Sequence, residues 1–223
     1  MIDWDQIDTV FLDMDGTLLD LHFDNYFWLQ HIPQRYAEKH GMPPERAYQK
    51  LMKQFKEREG SLSWYCIDYW SETLQLDIPV LKREIQHKIQ FRPHVTDFLD
   101  LLKTTNKNAV IVTNAHQESI KLKLQFTGLN KWVDRIICSH DLDCPKEHSE
   151  FWHKLQRHQS FSRKSTLLID DSLPVLRAAK DYGIQHLLTI LQPDSQQPNR
   201  EINEFLGIDS FADIHPPTMT QDE

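Results

Sequence analysis

Five short apolar stretches alternate with segments of helical length, and this alternation limits the possible folds more than any other feature. The stretches are rich in β-branched residues, as buried strands are, and they cover 8–13, 108–113, 134–139, 166–170 and 186–190. Three later segments carry the apolar spacing or the terminal glycine of a helix, and they cover 92–106, 116–129 and 172–184. Strand and helix in alternation predict an α/β fold, with a Rossmann-like parallel sheet and helices on both of its faces.

Two of these helices need a separate argument. The stretch "SIKLKLQF" within 116–129 alternates like a strand. This segment must nevertheless carry the chain back between two strands, and it reaches Gly128, a typical helix end, so we predict a helix. In 92–106, we expect Pro93 in the first helical turn, where proline is tolerated.

The chain between the first two strands is too long for a single crossover helix. It contains three further segments with a helical pattern, at 43–60, 63–76 and 77–89. We therefore predict an all-helical cap at 21–90, inserted after the first strand of a catalytic core formed by 1–20 and 91–214. The polar, proline-bearing segment 215–223 is expected to be a flexible tail.

Composition excludes several classes of partner. The 223 residues carry 25 basic and 33 acidic side chains, so the net charge is 25 minus 33, or −8, which gives no sign of a basic nucleic-acid surface. No apolar run is long enough for a membrane span, and the first residues lack the pattern of a secretory signal. Three scattered cysteines fit reduced thiols. We expect a cytoplasmic protein, monomeric or a small homo-oligomer, without a nucleic-acid or membrane partner.

Polar residues follow three of the predicted strands at the point where each apolar run ends. Asp13, Thr113 and Asp170 are these residues. Because ligands of parallel sheets sit outside the carboxyl ends of the strands, we expect the three side chains to meet at one edge. The motifs around them and one later loop read "DMDGTLLD" at 13–20, "VTN" at 112–114, "PKE" at 145–147 and "IDDS" at 169–172.

These residue types suit phosphoryl transfer. A carboxylate that attacks an anionic phosphate meets a repulsion of about 4 kcal/mol at contact, for an effective dielectric constant near 20. Lys146 and a divalent metal could offset it, and Mg²⁺ prefers oxygen ligands such as Asp13 and Asp170. The hydroxyl of Thr113 and the backbone N–H of Asn114 are both hydrogen-bond donors for a phosphate. Gly16 lets the chain turn close to the phosphate.

In this order the four motifs resemble those of the haloacid dehalogenase-like superfamily of phosphohydrolases. The resemblance spans residues 13–171 and implies a role for each matching side chain. Asp13 would be the nucleophile that forms an aspartyl-phosphate. Asp15 would be the general acid that protonates the leaving group and then the base that activates water. Lys146 would neutralise Asp13 and the phosphate.

The resemblance also implies a Mg²⁺ cofactor and a phosphate site. The implied metal ligands are Asp13, Asp15 and Asp170, with Asp171 acting indirectly. The implied phosphate-binding residues are Gly16, Thr113, Asn114 and Lys146. Superfamily members that cleave carbon–halogen bonds lack the acid two residues after the nucleophile, so Asp15 favours a phosphate ester as substrate.

The predicted cap is rich in aromatic residues, in "NYFW" at 25–28 and "WYCIDYW" at 64–70. A flat base that stacks on such a ring gains roughly 1–3 kcal/mol. These stretches also resemble the purine 5′-nucleotidases of the superfamily, which implies GMP or IMP as substrate. The candidate residues for the nucleoside are Asn25, Trp64, Tyr65 and His116.

Other interpretations stay open at this point. Aromatic residues at helical spacing usually form the core of their own helices, and His116 could simply begin a helix. A sugar-phosphate phosphatase or phosphomutase would share the nucleophile, acid, lysine and metal. A non-catalytic nucleotide-binding module would keep the fold without turnover.

Overall fold

A six-stranded parallel sheet forms the centre of the protein, which was analysed as a computed structural model that describes residues 2–216. The strands are β1 (Thr9–Leu12), β2 (Asn108–Thr113), β3 (Arg135–Cys138), β4 (Thr166–Asp170), β5 (His186–Ile190) and β6 (Leu206–Ile208), in the spatial order β3-β2-β1-β4-β5-β6. All neighbouring strands pair in parallel. The first five strands were predicted. The sixth was not, because its three residues include a glycine and carry no apolar run.

Both faces of the sheet are buried. Along β1, Val10 and Leu12 belong to one apolar cluster and Phe11 to the other, so successive side chains point to opposite faces. Helices α7 (Val95–Lys103) and α8 (Gln117–Thr127) contribute to the first cluster, and helices α9 (Ser149–His158) and α10 (Leu173–Tyr182) to the second. The predicted α/β fold with helices on both faces is confirmed.

The helix ends follow from backbone conformation. Gly128 and Gly183 have φ angles of 66° and 103° and end α8 and α10, so the helix predicted at 116–129 is confirmed. The placement of Pro93 in a first helical turn is wrong. Helix α7 begins two residues later because His94, with φ 60°, adopts a left-handed conformation that a helix cannot include.

Helices fill the chain between β1 and α7, as predicted. They are α1 (His22–Tyr26), α2 (Ile32–His40), α3 (Pro44–Arg58), α4 (Leu62–Tyr65), α5 (Ile67–Leu74) and α6 (Ile78–Glu84). A π-helical turn at Phe27–His31 joins α1 to α2. Pro33 in α2 has no N–H for an ordinary helical hydrogen bond, which accounts for the wider turn before it.

The division into a core and a cap stays a prediction, because side chains of both parts share the first apolar cluster, among them Phe27, Trp70 and Ile169. A bilayer-spanning helix is absent from residues 2–216, since none combines sufficient length with sufficient hydropathy. Most of the predicted tail, 217–223, lies outside the described residues.

Candidate active site

Three adjacent strands deliver the predicted polar residues to one edge of the sheet. Leu12 is in register with Ile111 of β2 and with Ile169 of β4. Asp13 therefore emerges between the ends of these two strands, where Thr113 and Asp170 stand. All three side chains line one cavity at this edge, as expected.

Lys146 lies at the centre of this edge, in the loop between β3 and α9. Its ammonium group contacts Asp13 Oδ1 at 2.5 Å and Asp170 Oδ2 at 2.7 Å, and it donates to the carbonyl of Val112 at 2.9 Å. The side chain is 1% exposed, so all three donors are used within the protein. Burial disfavours the charged ammonium, but the two carboxylates outweigh it and raise the pKa of Lys146.

Three carboxylates crowd around this lysine. Oxygen atoms of Asp13, Asp170 and Asp171 lie within 4.8 Å of one another. Burial raises the pKa of Asp13 to about 6, against the attraction of Lys146, and burial together with both neighbouring carboxylates raises the pKa of Asp171 well above its usual value. One lysine cannot balance three acids. The oxygen donors and the excess negative charge therefore fit a hard divalent cation such as Mg²⁺.

The carboxylates that form this group differ in part from the metal ligands predicted from the sequence. Asp171, predicted to act indirectly, stands with Asp13 and Asp170. Asp15, also predicted to be a metal ligand, does not bring its carboxylate to this group, because its side chain lies against Lys123 instead. The physical reason is a nearby buried cation that the sequence motifs did not reveal.

Asp15 belongs to a second charged cluster beside the first. Lys123 Nζ lies 2.6 Å from Asp15 Oδ1 and 2.7 Å from Asp24 Oδ2, and Lys82 Nζ lies 2.7 Å from Asp24 Oδ1. Burial raises the pKa of Asp15 to about 6, although Lys123 opposes this, so the carboxyl can hold a proton near neutral pH. Lys123 was not predicted as a site residue. A signal existed, since Ser119, Ile120 and Lys123 share the buried face of the predicted helix.

Gly16 permits the turn that follows Asp13. Its φ angle is +89°, and a Cβ atom at this position would lie 2.7 Å from the carboxyl carbon of Asp171. Both the backbone conformation and the space therefore require glycine.

We expect Gly16→Ala to lower the free energy of unfolding by about 1–3 kcal/mol through backbone strain. It should also lower kcat about 100-fold, because Asp171 must move. Gly41→Ala is the matched control, since Gly41 also has a positive φ, of +59°, but nothing lies within 4 Å of the added Cβ. Denaturant titration and phosphate release should show a stability loss for both variants and a kcat loss for Gly16→Ala alone. Normal kcat in Gly16→Ala would contradict the close contact with Asp171.

The loops after β2 and β3 support one another. Thr113 Oγ1 accepts the backbone N–H of Ala115 at 3.0 Å, which leaves the hydroxyl proton available. Asn114 accepts the backbone N–H of Lys146 at 3.0 Å and donates to Glu147 Oε2 at 2.9 Å. Glu147, which belongs to the motif at 145–147 but had no predicted role, also accepts a hydrogen bond from the hydroxyl of Tyr65. The phosphate-binding roles of Gly16, Thr113 and Asn114 stay predictions.

A cavity of about 520 Å³ opens above these groups, and Asp13, Asp15, Lys146, Asp170 and Asp171 line its floor. Its far wall consists of aromatic side chains from the helices between β1 and β2, namely Trp28, Phe55, Trp64, Tyr65 and Trp70. This volume lies within the range of pockets that hold small molecules. The arrangement joins an anionic, lysine-bearing floor to an apolar wall.

The four predicted nucleoside contacts all line the cavity, but three of them already have polar partners, Tyr65 through the hydrogen bond to Glu147 described above. Asn25 donates to Asp194 Oδ2 at 2.7 Å. His116 begins α8, accepting the backbone N–H of Glu118 at 3.4 Å, and lies 3.6 Å from Asp68. The ring of Trp64 meets Phe55 and Trp70 at 79° and 82°, so it forms no parallel stack with these neighbours.

Comparison with known proteins agrees with this geometry. Residues 10–189 match the model of the haloacid dehalogenase-like hydrolase family. The chain belongs to this family. As a haloacid dehalogenase-like hydrolase it is an enzyme, and the predictions of the family and of an enzyme of the phosphatase class are confirmed.

Among relatives of this haloacid dehalogenase-like hydrolase, the GMP/IMP nucleotidase YrfG of Escherichia coli K12 is 37% identical over 218 residues, which is 98% of each chain. The YrfG protein of Shigella flexneri matches to the same extent. A solved structure of a HAD phosphatase from Thermococcus onnurineus has a TM-score of 0.76 and 22% identity, covering 93% of this chain and 95% of that one. YfnB of Bacillus subtilis, in a structure bound to magnesium, has a TM-score of 0.63 and 20% identity, covering 93% and 96%. These two structures bear on the fold alone.

Proposed function

We propose that this enzyme hydrolyses purine nucleoside 5′-monophosphates, such as GMP and IMP, to nucleoside and phosphate in a Mg²⁺-dependent reaction. The observation that carries the proposal is the cavity, which joins the Asp13–Lys146–Asp170 group at its floor to an aromatic wall. The printed name of the relative YrfG supports the same substrate class.

In the first half of the proposed reaction, an Asp13 carboxylate oxygen bonds to phosphorus as the bond from phosphorus to the ester oxygen breaks. The electron pair of that bond stays on the leaving oxygen, which takes the proton from Asp15. Lys146, already 2.5 Å from Asp13, neutralises negative charge on the attacked group. Mg²⁺ held by Asp13, Asp170 and Asp171 would neutralise further charge on the phosphoryl oxygens.

In the second half, a water molecule attacks the phosphorus of the aspartyl-phosphate and gives its proton to Asp15. The bond between phosphorus and Asp13 breaks, and inorganic phosphate leaves. Asp15 thus returns to its protonated form and Asp13 to its carboxylate, so the cycle is balanced. The raised pKa of Asp15, about 6, suits a group that must both donate and accept this proton.

We also propose that 21–90 acts as a cap over a core of 1–20 and 91–214. Side-chain contacts that join the two parts include Asn25–Asp194, Tyr65–Glu147, Asp68–His116 and Asp24–Lys123. Closure of such a cap would exclude water from the aspartyl-phosphate until the leaving group has gone. The cytoplasmic location and the oligomeric state remain predictions.

A screen of phosphate esters tests the function. Purified enzyme should release phosphate from GMP and IMP with a kcat/KM at least about 10-fold above that for glucose 6-phosphate or ribose 5-phosphate. Activity should disappear in EDTA and return with Mg²⁺. An equal kcat/KM for a sugar phosphate would contradict the purine preference but would still agree with a phosphatase. Interconversion of sugar-phosphate isomers without phosphate release would indicate a phosphomutase. The absence of any turnover would indicate a non-catalytic binding module.

The aromatic wall gives a separate prediction. We expect Trp64→Leu to lower kcat/KM for GMP about 10-fold, because base stacking on an aromatic ring contributes roughly 1–3 kcal/mol. The value for ribose 5-phosphate, which has no base, should not change. Trp132→Leu is the control, since Trp132 is also half-buried but lies outside the cavity. Equal losses on both substrates would show that Trp64 supports the cap without contacting the base.

A further inference from the structure

Asp15 belongs to a cluster of four charged side chains, called here the lysine–aspartate cluster. Its members are Asp15, Asp24, Lys82 and Lys123. Its ion pairs run from Asp15 to Lys123 at 2.6 Å, on to Asp24 at 2.7 Å and from there to Lys82 at 2.7 Å. Two positive and two negative groups balance one another. The lysine side chains are 2% and 3% exposed, so both ammonium groups are almost fully removed from water.

Stability alone does not account for this cluster. Taking a charge out of water costs several kcal/mol, and apolar residues of similar volume often serve a buried position as well or better. One member of the cluster, Asp15, is also a residue of the candidate active site. Its members come from three helices and a loop, with Asp24 on α1, Lys82 on α6 and Lys123 on α8. A buried ion pair that spans separate elements fixes their relative positions.

An aromatic ring and two carboxylates restrict the position of the Lys123 ammonium group. It lies 5.4 Å from the centre of the Phe23 ring, and Lys82 lies 5.0 Å from the same ring. Lys82 also donates to Ser119 Oγ on α8 at 3.3 Å. A lysine held between one aromatic ring and two carboxylates has little rotational freedom.

The Asp15 carboxylate depends on Lys123 for its position. Its Oδ1 atom is buried and, apart from the ion pair with Lys123 Nζ at 2.6 Å, has no hydrogen-bond partner among the described residues. Within residues 2–216, Lys123 is the one cation that forms an ion pair with this carboxylate. Without Lys123, the side chain of Asp15 would be repelled by Asp13 and Asp24 and free to rotate.

We propose that Lys123 is a positioning residue for Asp15, and that Asp24 and Lys82 hold Lys123 in place from the helices between β1 and β2. This inference rests on the proposed function, in which Asp15 protonates the leaving oxygen. Its consequence is specific. A misplaced acid slows the departure of a basic alkoxide, such as the one that GMP leaves, but matters little for p-nitrophenolate, which leaves without a proton.

The test compares the two substrates in the presence of Mg²⁺. Lys123→Met should lower kcat/KM for GMP about 100-fold and kcat/KM for p-nitrophenyl phosphate less than about 10-fold, because kcat/KM reports the steps up to departure of the leaving group and not the later hydrolysis of the aspartyl-phosphate. The KM for GMP should stay within about twofold, because Lys123 does not line the cavity. Asp15→Asn should show the same dependence on the leaving group, and adding Lys123→Met to it should cause little further loss. Lys121→Met, on the exposed side of α8, should behave as the unmodified enzyme.

Each outcome decides between the hypotheses. Equal losses of kcat/KM on both substrates in Lys123→Met, or no loss, would overturn the positioning role while Asp15→Asn still shows the dependence on the leaving group. Equal losses in Asp15→Asn would instead overturn the acid role of Asp15 in the proposed function. Should Lys123→Met fail to fold, the double variant Asp24→Asn/Lys123→Met, which removes one charge of each sign, is compared with Asp24→Asn. The same selective loss on GMP is expected, and its absence would overturn the proposal.

Discussion

Asp13→Asn is expected to abolish phosphate release from GMP, with kcat lower by about 10⁴-fold or more, the scale of losses seen when a nucleophile is removed. The amide keeps the shape of the carboxylate but has no charged oxygen to attack phosphorus. The fold should persist, because Lys146 retains Asp170 and the carbonyl of Val112 as acceptors. Removing one of three crowded acids should leave the free energy of unfolding unchanged or higher. Phosphate release and denaturant titration measure the two effects.

Asp8→Asn provides the control for this variant. Asp8 lies just before the opposite end of β1 and is exposed, so its replacement should leave both kcat and stability unchanged. Residual turnover of Asp13→Asn above about one per cent of the unmodified rate, with the fold intact, would be incompatible with a nucleophilic role.

Lys146→Met is expected to damage both stability and catalysis. Removing one partner of a buried ion pair costs about 3–5 kcal/mol, because the remaining charge has no countercharge. Here two carboxylates, of Asp13 and Asp170, would lose their shared partner. The kcat should fall about 100- to 1,000-fold, as expected when a group that stabilises charge is removed. Urea unfolding in EDTA isolates the stability term, and phosphate release with Mg²⁺ gives the catalytic term.

The matched control for Lys146→Met is Lys154→Met. Lys154 is 26% exposed on α9 and lies 3.3 Å from Glu150, an ion pair of the exposed kind that contributes about 0.2–1 kcal/mol. The double variant Asp13→Asn/Lys146→Met should recover part of the stability lost in Lys146→Met, since it removes one of the two unpaired acids. A Lys146→Met variant as stable as the control would contradict the buried arrangement described above.

The residues at the sheet edge were predictable from sequence because their position follows from the backbone alone. Asp13, Thr113 and Asp170 each end an apolar run, and parallel strands bring such ends together whatever the side chains beyond them. Gly16 was equally accessible, since a sharp turn after a strand requires a positive φ. Lys146 followed from the order of the motifs and from the need for a positive charge.

The lysine–aspartate cluster was not predictable in the same way. Asp24 and Lys123 are 99 positions apart in the chain, and Asp24 and Lys82 are 58 apart. No local pattern sets such a pairing, which depends on how the helices between β1 and β2 lie on α8. The same packing turns the carboxylate of Asp15 toward Lys123 and leaves that of Asp171 beside Asp13, an arrangement that the sequence motifs do not indicate. The three-residue strand β6 was missed because so short an element carries no periodic signal.

The most direct test of the account is to observe phosphorus on Asp13. Asp15→Asn retains the nucleophile but lacks the base for the second step, so the aspartyl-phosphate should accumulate when p-nitrophenyl phosphate and Mg²⁺ are added. Acid quenching followed by mass spectrometry of the peptides should find one phosphoryl group, on the peptide that contains Asp13, and none after the additional change Asp13→Asn. Release of p-nitrophenol with no phosphorylated residue, or with the phosphoryl group on another side chain, would contradict the account.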